Sequence, residues 1–96
     1  MTLPEARCRA FVLGVVQGVG FRYFVLDAAS AVGAVGWVRN LRDGRVELVA
    51  EGSRPALEGL LTQVRQGPRA GRVDRVDETW EQPTGEFRDF RLQATN

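Results

Sequence analysis

Alternating apolar and polar side chains predict a β-strand over residues 7–13, near the start of the chain. One face of this strand is apolar and the other is mostly charged, with Cys8, Ala10 and Val12 opposed to Arg7, Arg9 and Phe11. Residues 14–20 follow, and we call them the glycine loop because three of the seven are glycines. Beyond the loop, helical spacing and a terminal glycine predict a first helix, marked by Phe21, Phe24, Val25, Ala28, Val32 and then Gly33.

The middle of the chain predicts a β-hairpin and a second helix. Residues 35–40 form a strand-like run, and Asp43-Gly44 is a strong turn signal. The next strand alternates between two sets of residues, Val46, Leu48 and Ala50 against Arg45, Glu47, Val49 and Glu51. Ser53 is placed to cap a helix that has Pro55 in its first turn and that ends at Gly67-Pro68. The apolar face of this helix consists of Leu57, Leu60, Leu61 and Val64.

The last third of the chain predicts two more strands. The first runs through Val73 and Val76, whose three-residue spacing breaks strict alternation, so we expect a β-bulge or a sheet edge there. Phe90 and Leu92 indicate a short final strand. We therefore predict one domain, residues 1–96, of the α+β class with the order βαββαβ and a short extra C-terminal strand. The sheet should be antiparallel, with both helices on one face and with the first and third strands central.

This topology brings two distant parts of the sequence together. The first and second strands should run parallel on either side of the third, roughly 9.5 Å apart, so their carboxyl ends share one edge of the sheet. Gly14 follows the first strand and Asn40 ends the second. We therefore expect the glycine loop and Asn40 to face the same region.

Composition excludes several classes of chemistry. Thirteen basic and twelve acidic residues leave a net charge of +1, and all thirteen basic residues are arginine. This balance does not favour a nucleic-acid or membrane partner. The absence of histidine removes nucleophile–histidine pairs and histidine metal sites, and a single cysteine cannot form an internal disulfide. No segment has the length of a signal peptide core or a membrane span, so we expect a cytoplasmic protein.

The glycine loop has a plain interpretation and a functional one. Glycines between a strand and a helix often serve only to make a tight turn. Alternatively, the amides of Gln17, Gly18, Val19, Gly20 and Phe21 form an anion-binding nest at the helix N-terminus. Arg22 favours the second interpretation, because the helix dipole disfavours a cation in the first turn unless an anion binds beside it.

Asn40 is open to two interpretations as well. An asparagine beside a turn commonly tolerates left-handed geometry or caps neighbouring backbone groups. Its carboxamide is also suited to hold a water molecule by a hydrogen bond without titrating. Trp37, three residues earlier, is near enough in sequence to line the mouth of a pocket at Asn40, although covering apolar surface is its more ordinary use.

Nearly the whole chain resembles the acylphosphatases. The resemblance is carried by Gly14-Val15-Val16-Gln17-Gly18-Val19-Gly20-Phe21-Arg22, by Gly36-Trp37-Val38-Arg39-Asn40, and by Asp43-Gly44-Arg45-Val46-Glu47. It implies a ferredoxin-like α/β sandwich and hydrolysis of the carboxyl-phosphate bond of small acyl phosphates, without a metal or other cofactor. It also implies that the loop amides and Arg22 bind phosphate and that Asn40 orients the attacking water. We expect a monomer, with phosphate or sulfate as inhibitor-like ligands.

Two other functions share this order of elements. One is a non-catalytic anion-binding module, like the acylphosphatase-like domain of hydrogenase-maturation carbamoyltransferases. The other is an RNA-recognition domain, which would need exposed aromatic residues on the central strands and a basic face. Neither central strand carries the Lys/Arg-Gly-Phe/Tyr type of motif in which such domains present their aromatic residues, and the net charge is near neutral, so the enzyme is the leading hypothesis.

Overall fold

A five-stranded sheet and two helices make up the computed structural model, which describes residues 3–96. The elements are β1 (Ala6–Val15), α1 (Phe21–Ala31), β2 (Val35–Asn40), β3 (Val46–Gly52), α2 (Arg54–Gln66), β4 (Arg72–Glu81) and β5 (Phe90–Leu92). This order confirms the predicted ferredoxin-like α+β fold, including the short extra strand. Within residues 3–96, neither helix is both long enough and apolar enough to cross a membrane.

The strands lie in the order β4-β1-β3-β2-β5. The first four pair antiparallel, and β1 and β3 are interior strands as predicted. The short strand β5 pairs with β2 in parallel, so the complete sheet is mixed. This pairing covers the edge of β2 and supports the end of the strand that carries Asn40.

The apolar core lies between the sheet and the two helices. The inward residues of β1 are fully buried, as their alternation predicts, and they pack with the apolar faces of both helices. The hydroxyl oxygen of Ser53 accepts a hydrogen bond from the Ala56 amide and so caps α2. At the end of α1, the Ala34 amide donates to the Ala29 carbonyl and Gly33 has φ 74°, which is a Schellman ending. Both predicted helix boundary signals are therefore confirmed.

Strand β1 runs two residues further than the sequence predicts, so the first two residues of the glycine loop belong to the sheet. Leu13 pairs with Arg75 and Gly14 pairs with Val73, which leaves Asp74 as the extra residue of a bulge in β4. This bulge lies between Val73 and Val76, where the broken alternation predicts it. A Cβ atom at Gly14 would lie 2.1 Å from the carbonyl oxygen of Arg72. Gly14 is therefore required by this strand contact, which corrects its assignment to the anion-binding loop.

On the face of the sheet without helices, ion pairs cover strand β3. Glu51 is fully buried there, and its carboxylate accepts hydrogen bonds from Arg7 at 2.8 Å and from the Thr84 and Gly85 amides at 2.9 Å. Glu81 joins the same network by accepting from Arg7 and Arg9. The polar side of β3 is thus buried, although its alternation alone is typical of a solvated face.

Candidate active site

The ends of β1 and β2 meet at one edge of the sheet through their common neighbour β3. Val46 of β3 pairs with Val12 of β1 on one side and with Asn40 of β2 on the other. The glycine loop leaves β1 just beyond this level and leads into α1. The predicted proximity of the loop and Asn40 is therefore present in the fold.

The loop enters α1 with its amide groups unpaired. Gly18 and Gly20 have φ 74° and 75°, and Gly20 caps the helix in a left-handed conformation without any side-chain hydrogen bond. Within residues 3–96, the first amide of this segment to bond a carbonyl is that of Phe24, which donates to Gly20 at 3.0 Å. The amides of residues 17–21 therefore remain available to an anion, beside the positive end of the helix dipole.

Arg22 is the second residue of α1 and is partly exposed. Within residues 3–96 it forms no ion pair, whereas nine of the other arginines do: Arg7, Arg9, Arg39, Arg45, Arg54, Arg65, Arg72, Arg75 and Arg91. The first turn of α1 also holds no acidic residue. The positive charge of Arg22 is thus neutralised by no neighbouring carboxylate in the described part of the chain.

A pocket of about 140 Å³ brings together Arg22 and Asn40. Its walls are formed by Val16, Gly18, Gly20, Phe21, Arg22, Tyr23 and Asn40. Of the residues expected in the phosphate nest, Gln17 and Val19 do not line this pocket. The Val19 side chain packs instead against the core, and that of Gln17 points to the hairpin turn.

Asn40 has a buried and unsatisfied side-chain oxygen. Its Oδ1 atom is inaccessible to solvent and has no hydrogen-bond partner within residues 3–96. Its backbone is held from the side of β5, because the Asn96 amide donates to the Asn40 carbonyl at 3.1 Å. A fixed backbone and an unpaired buried oxygen are unusual together, since buried polar atoms nearly always have partners.

The side chain of Gln17 has a structural role that sequence reasoning missed. Its Nε2 atom donates to the carbonyl oxygens of Leu41 at 2.7 Å and Arg45 at 2.8 Å. These two residues close the turn of the β2–β3 hairpin, where the Leu41 amide also donates to Arg45. Gln17 therefore ties the glycine loop to the residue that follows Asn40. No periodicity in the sequence marks this contact, since it depends on how close the turn comes to the loop.

Trp37 does not line the mouth of this pocket, so of its two sequence-based interpretations the functional one is wrong. Gly36, Val38 and Asn40 face the helices, so the alternation of β2 directs Trp37 to the opposite face. There its ring lies against the guanidinium groups of Arg9 and Arg39, with 4.7 Å from the Arg39 carbon to the ring centroid. The structure therefore supports the interpretation that Trp37 covers the surface of the sheet.

The cysteine and the carboxylates of β4 have structural roles or solvated surroundings. Cys8 is fully buried, and burial raises the pKa of its thiol to about 11, as expected for a core cysteine. Asp74 and Asp77 pair with Arg72 and Arg75 on the exposed strand β4. No cluster of three or more potential metal ligands occurs in the part of the chain described.

A larger depression, of about 470 Å³, lies on the face of the sheet opposite to Asn40's side chain. Its charged walls are largely paired among themselves, Arg39 with Glu47 and Arg45 with Asp43. It contains neither Arg22 nor Asn40. The smaller pocket is therefore the candidate active site, because it holds both Arg22 and Asn40.

Comparison with known proteins agrees with this geometry. The family model described as Acylphosphatase matches residues 8–92. The acylphosphatase of Roseiflexus sp. (strain RS-1) is 49% identical over 90 residues, covering 94% of this chain and 97% of that protein. The crystal structure of acylphosphatase from Bacillus subtilis has a TM-score of 0.90 at 37% identity, and the match covers 93% of this chain and 99% of that one.

A multidomain protein contains a similar unit. The crystal structure of T. kodakarensis HypF matches with a TM-score of 0.76 and 32% identity, over 95% of this chain but only 12% of that chain. The small proteins named acylphosphatase match instead over almost their full length. By the family match, the relatives and the fold, the chain belongs to the acylphosphatase family and is a hydrolase of acyl phosphates.

Proposed function

We propose that the chain cleaves the carboxyl-phosphate bond of small acyl phosphates in the pocket that holds Arg22 and Asn40. The observation that carries this proposal is one pocket lined by both Asn40, whose buried Oδ1 has no hydrogen-bond partner within residues 3–96, and Arg22, which forms no ion pair there. A carboxamide and a cation that share a pocket are the groups that a water molecule and a phosphoryl group would engage together.

The phosphoryl group would bind at the end of α1. Its oxygens accept from the amides of residues 17–21 and from the Arg22 guanidinium, which offers two parallel donors. Because these donors are fixed by the loop and the helix before substrate arrives, they cost little reorganisation when charge develops on the phosphoryl oxygens. The mechanism needs no metal ion for this stabilisation.

Asn40 would hold the attacking water. A hydrogen bond to the carboxamide of Asn40 holds the water with a lone pair directed at phosphorus, in line with the bond to the acyl oxygen. The new phosphorus–oxygen bond forms while the bond to the acyl oxygen breaks, and the carboxylate leaves with the electron pair. In a loose transition state the water needs little deprotonation at the start. Its proton passes to a phosphate oxygen of the substrate, so the products are a carboxylate and inorganic phosphate.

The proposal is tested by phosphate release from benzoyl phosphate in the presence of a chelator. The wild type should turn over, whereas Arg22→Gln and Asn40→Ala should fold normally and lose nearly all activity. Arg69→Gln is a matched control, because Arg69 is exposed and forms no ion pair within residues 3–96. Normal activity in either pocket variant would contradict the assignment, and loss of wild-type activity on chelation would contradict the metal-free mechanism.

Phosphate binding without hydrolysis of any acyl phosphate would contradict the proposal. The sequence-based predictions of a monomer and of a cytoplasmic location accompany the main proposal. Size-exclusion chromatography with light scattering tests the first, and cell fractionation tests the second.

A further inference from the structure

The candidate pocket is too small to enclose a whole acyl phosphate. Its volume of about 140 Å³ is well below the roughly 300–1,000 Å³ typical of pockets that surround an organic ligand. The phosphoryl group and the attacking water occupy such a space, so the acyl group must extend across the rim.

Only one side chain of the pocket offers apolar surface at that rim. Val16 and Phe21 are 1% and 2% exposed and face the core, and the two glycines have no side chain. Arg22 and Asn40 present polar groups. Tyr23 is 61% exposed, which makes it the one exposed large hydrophobic residue among the pocket's walls.

Nothing in residues 3–96 fixes Tyr23 for a structural purpose. Its hydroxyl forms no hydrogen bond there, and its ring is not among the apolar residues packed against the core. The neighbouring Phe21 and Phe24 contact each other, with ring centroids 6.0 Å apart, but this pair does not include Tyr23. An exposed aromatic ring next to Arg22 is therefore available to a ligand.

We propose that Tyr23 binds the acyl group of the substrate and selects acyl phosphates with an aromatic or large apolar acyl group. The ring would stack on a benzoyl-type group while the phosphoryl group lies one residue away at Arg22. Aromatic contacts of this kind correspond to about a 3- to 10-fold effect on binding. This inference rests on the proposed function of the pocket and adds its specificity.

The test compares benzoyl phosphate and acetyl phosphate as substrates of the wild type, Tyr23→Ala and Tyr23→Phe. Tyr23→Ala should raise KM for benzoyl phosphate about 3- to 10-fold with kcat nearly unchanged. KM for acetyl phosphate and the inhibition constant of inorganic phosphate should not change, because neither ligand reaches the ring. Tyr23→Phe should behave as the wild type. Val32→Ala is a matched control, since it truncates an exposed apolar residue at the other end of α1.

The outcomes separate this inference from the proposed function. If the wild type hydrolyses both substrates and Tyr23→Ala changes neither KM, or changes both equally, the acyl contact is wrong while the pocket remains the active site. A changed inhibition constant for phosphate in Tyr23→Ala would also overturn the inference, because it would place the effect in the phosphate nest. If the wild type hydrolyses neither substrate, the proposed function fails and this inference fails with it.

Discussion

The side-chain amide of Gln17 donates a hydrogen bond to the carbonyl oxygen of Leu41, 2.7 Å away. The first residue belongs to the glycine loop and the second follows Asn40 directly, so this bond sets the distance between the proposed phosphate nest and the proposed water-binding amide. If the loop and Asn40 act by positioning the reactants, the distance between them must be fixed before substrate binds. Even a small displacement of the reacting groups lowers the reaction rate strongly.

We expect Gln17→Met to lower kcat by about 10- to 100-fold while leaving the protein folded. Methionine fills a similar volume but cannot donate to the two carbonyl oxygens. The loss of these bonds should cost about 1–3 kcal/mol in the free energy of unfolding, measured by urea denaturation. Gln63→Met on the exposed face of α2 is the control, and equal activities of the two variants would remove the positioning role of Gln17.

Gly14→Ala should destabilise the protein far more than an alanine at the hairpin turn. The new Cβ would lie 2.1 Å from the Arg72 carbonyl oxygen, at a residue with φ 140°, so β1 and β4 would have to separate locally. We expect a loss of about 3 kcal/mol or more in the free energy of unfolding. Gly44→Ala, at φ 99° with open space around the Cβ, should cost about 1 kcal/mol from backbone strain alone. Similar losses in the two variants would contradict the tight strand contact.

Glu51→Gln should lower stability by about 3 kcal/mol, because it removes the carboxylate beside Arg7 from a fully buried position. Chemical denaturation measures this loss. Glu58→Gln is the matched control, since Glu58 forms an exposed pair with Arg54 within one helix and its loss should cost less than about 1 kcal/mol. A Glu51 variant as stable as the Glu58 variant would mean that the buried network contributes little.

We expect the free energy of unfolding to decrease at low pH because of the carboxylates of Glu51 and Glu81 in this buried network. Burial alone would raise the pKa of Glu51, but the hydrogen bonds from Arg7 and from the Thr84 and Gly85 amides outweigh it and lower the pKa. Hydrogen bonds from Arg7 and Arg9 also lower the pKa of Glu81. A carboxyl group with a depressed native pKa stabilises the fold above its unfolded pKa of about 4.3, and this contribution is lost as pH falls through the native value.

Urea denaturation at several pH values tests this expectation. The free energy of unfolding should be nearly constant above about pH 5 and should decrease below about pH 4. Glu51→Gln should show a shallower decrease, because one of the linked carboxylates is gone. A wild-type profile that is flat down to pH 3 would show that these carboxylates are not coupled to folding.

Local patterns in the sequence predict the helices and strands well, because these elements depend on residues that lie close together in the chain. The alternation of Cys8, Ala10 and Val12 locates the buried face of β1, and the spacing of Val73 and Val76 locates the bulge in β4. The glycine loop and Asn40 can also be brought together from topology alone, since β1 and β2 flank the same strand.

Features that depend on distances between separate segments could not be predicted. The contact of Gln17 with the hairpin turn is one example, and the burial of Glu51 under the segment of Thr84 and Gly85 is another. Residues 82–89 carry no periodicity that would place them over the sheet. The position of Trp37, by contrast, could have been predicted, because strict alternation from Val38 and Asn40 already indicates that its side chain faces away from the pocket.

An NMR titration of the labelled protein with inorganic phosphate tests whether the loop amides and Arg22 form the phosphate site. The amide resonances of residues 17–23 should shift in the wild type and in Asn40→Ala but not in Arg22→Gln. Asn40→Ala should therefore still bind phosphate while it fails to hydrolyse benzoyl phosphate. Phosphate-induced shifts confined to another part of the molecule, or unchanged binding in Arg22→Gln, would mean that these amides and this guanidinium do not form the phosphate site.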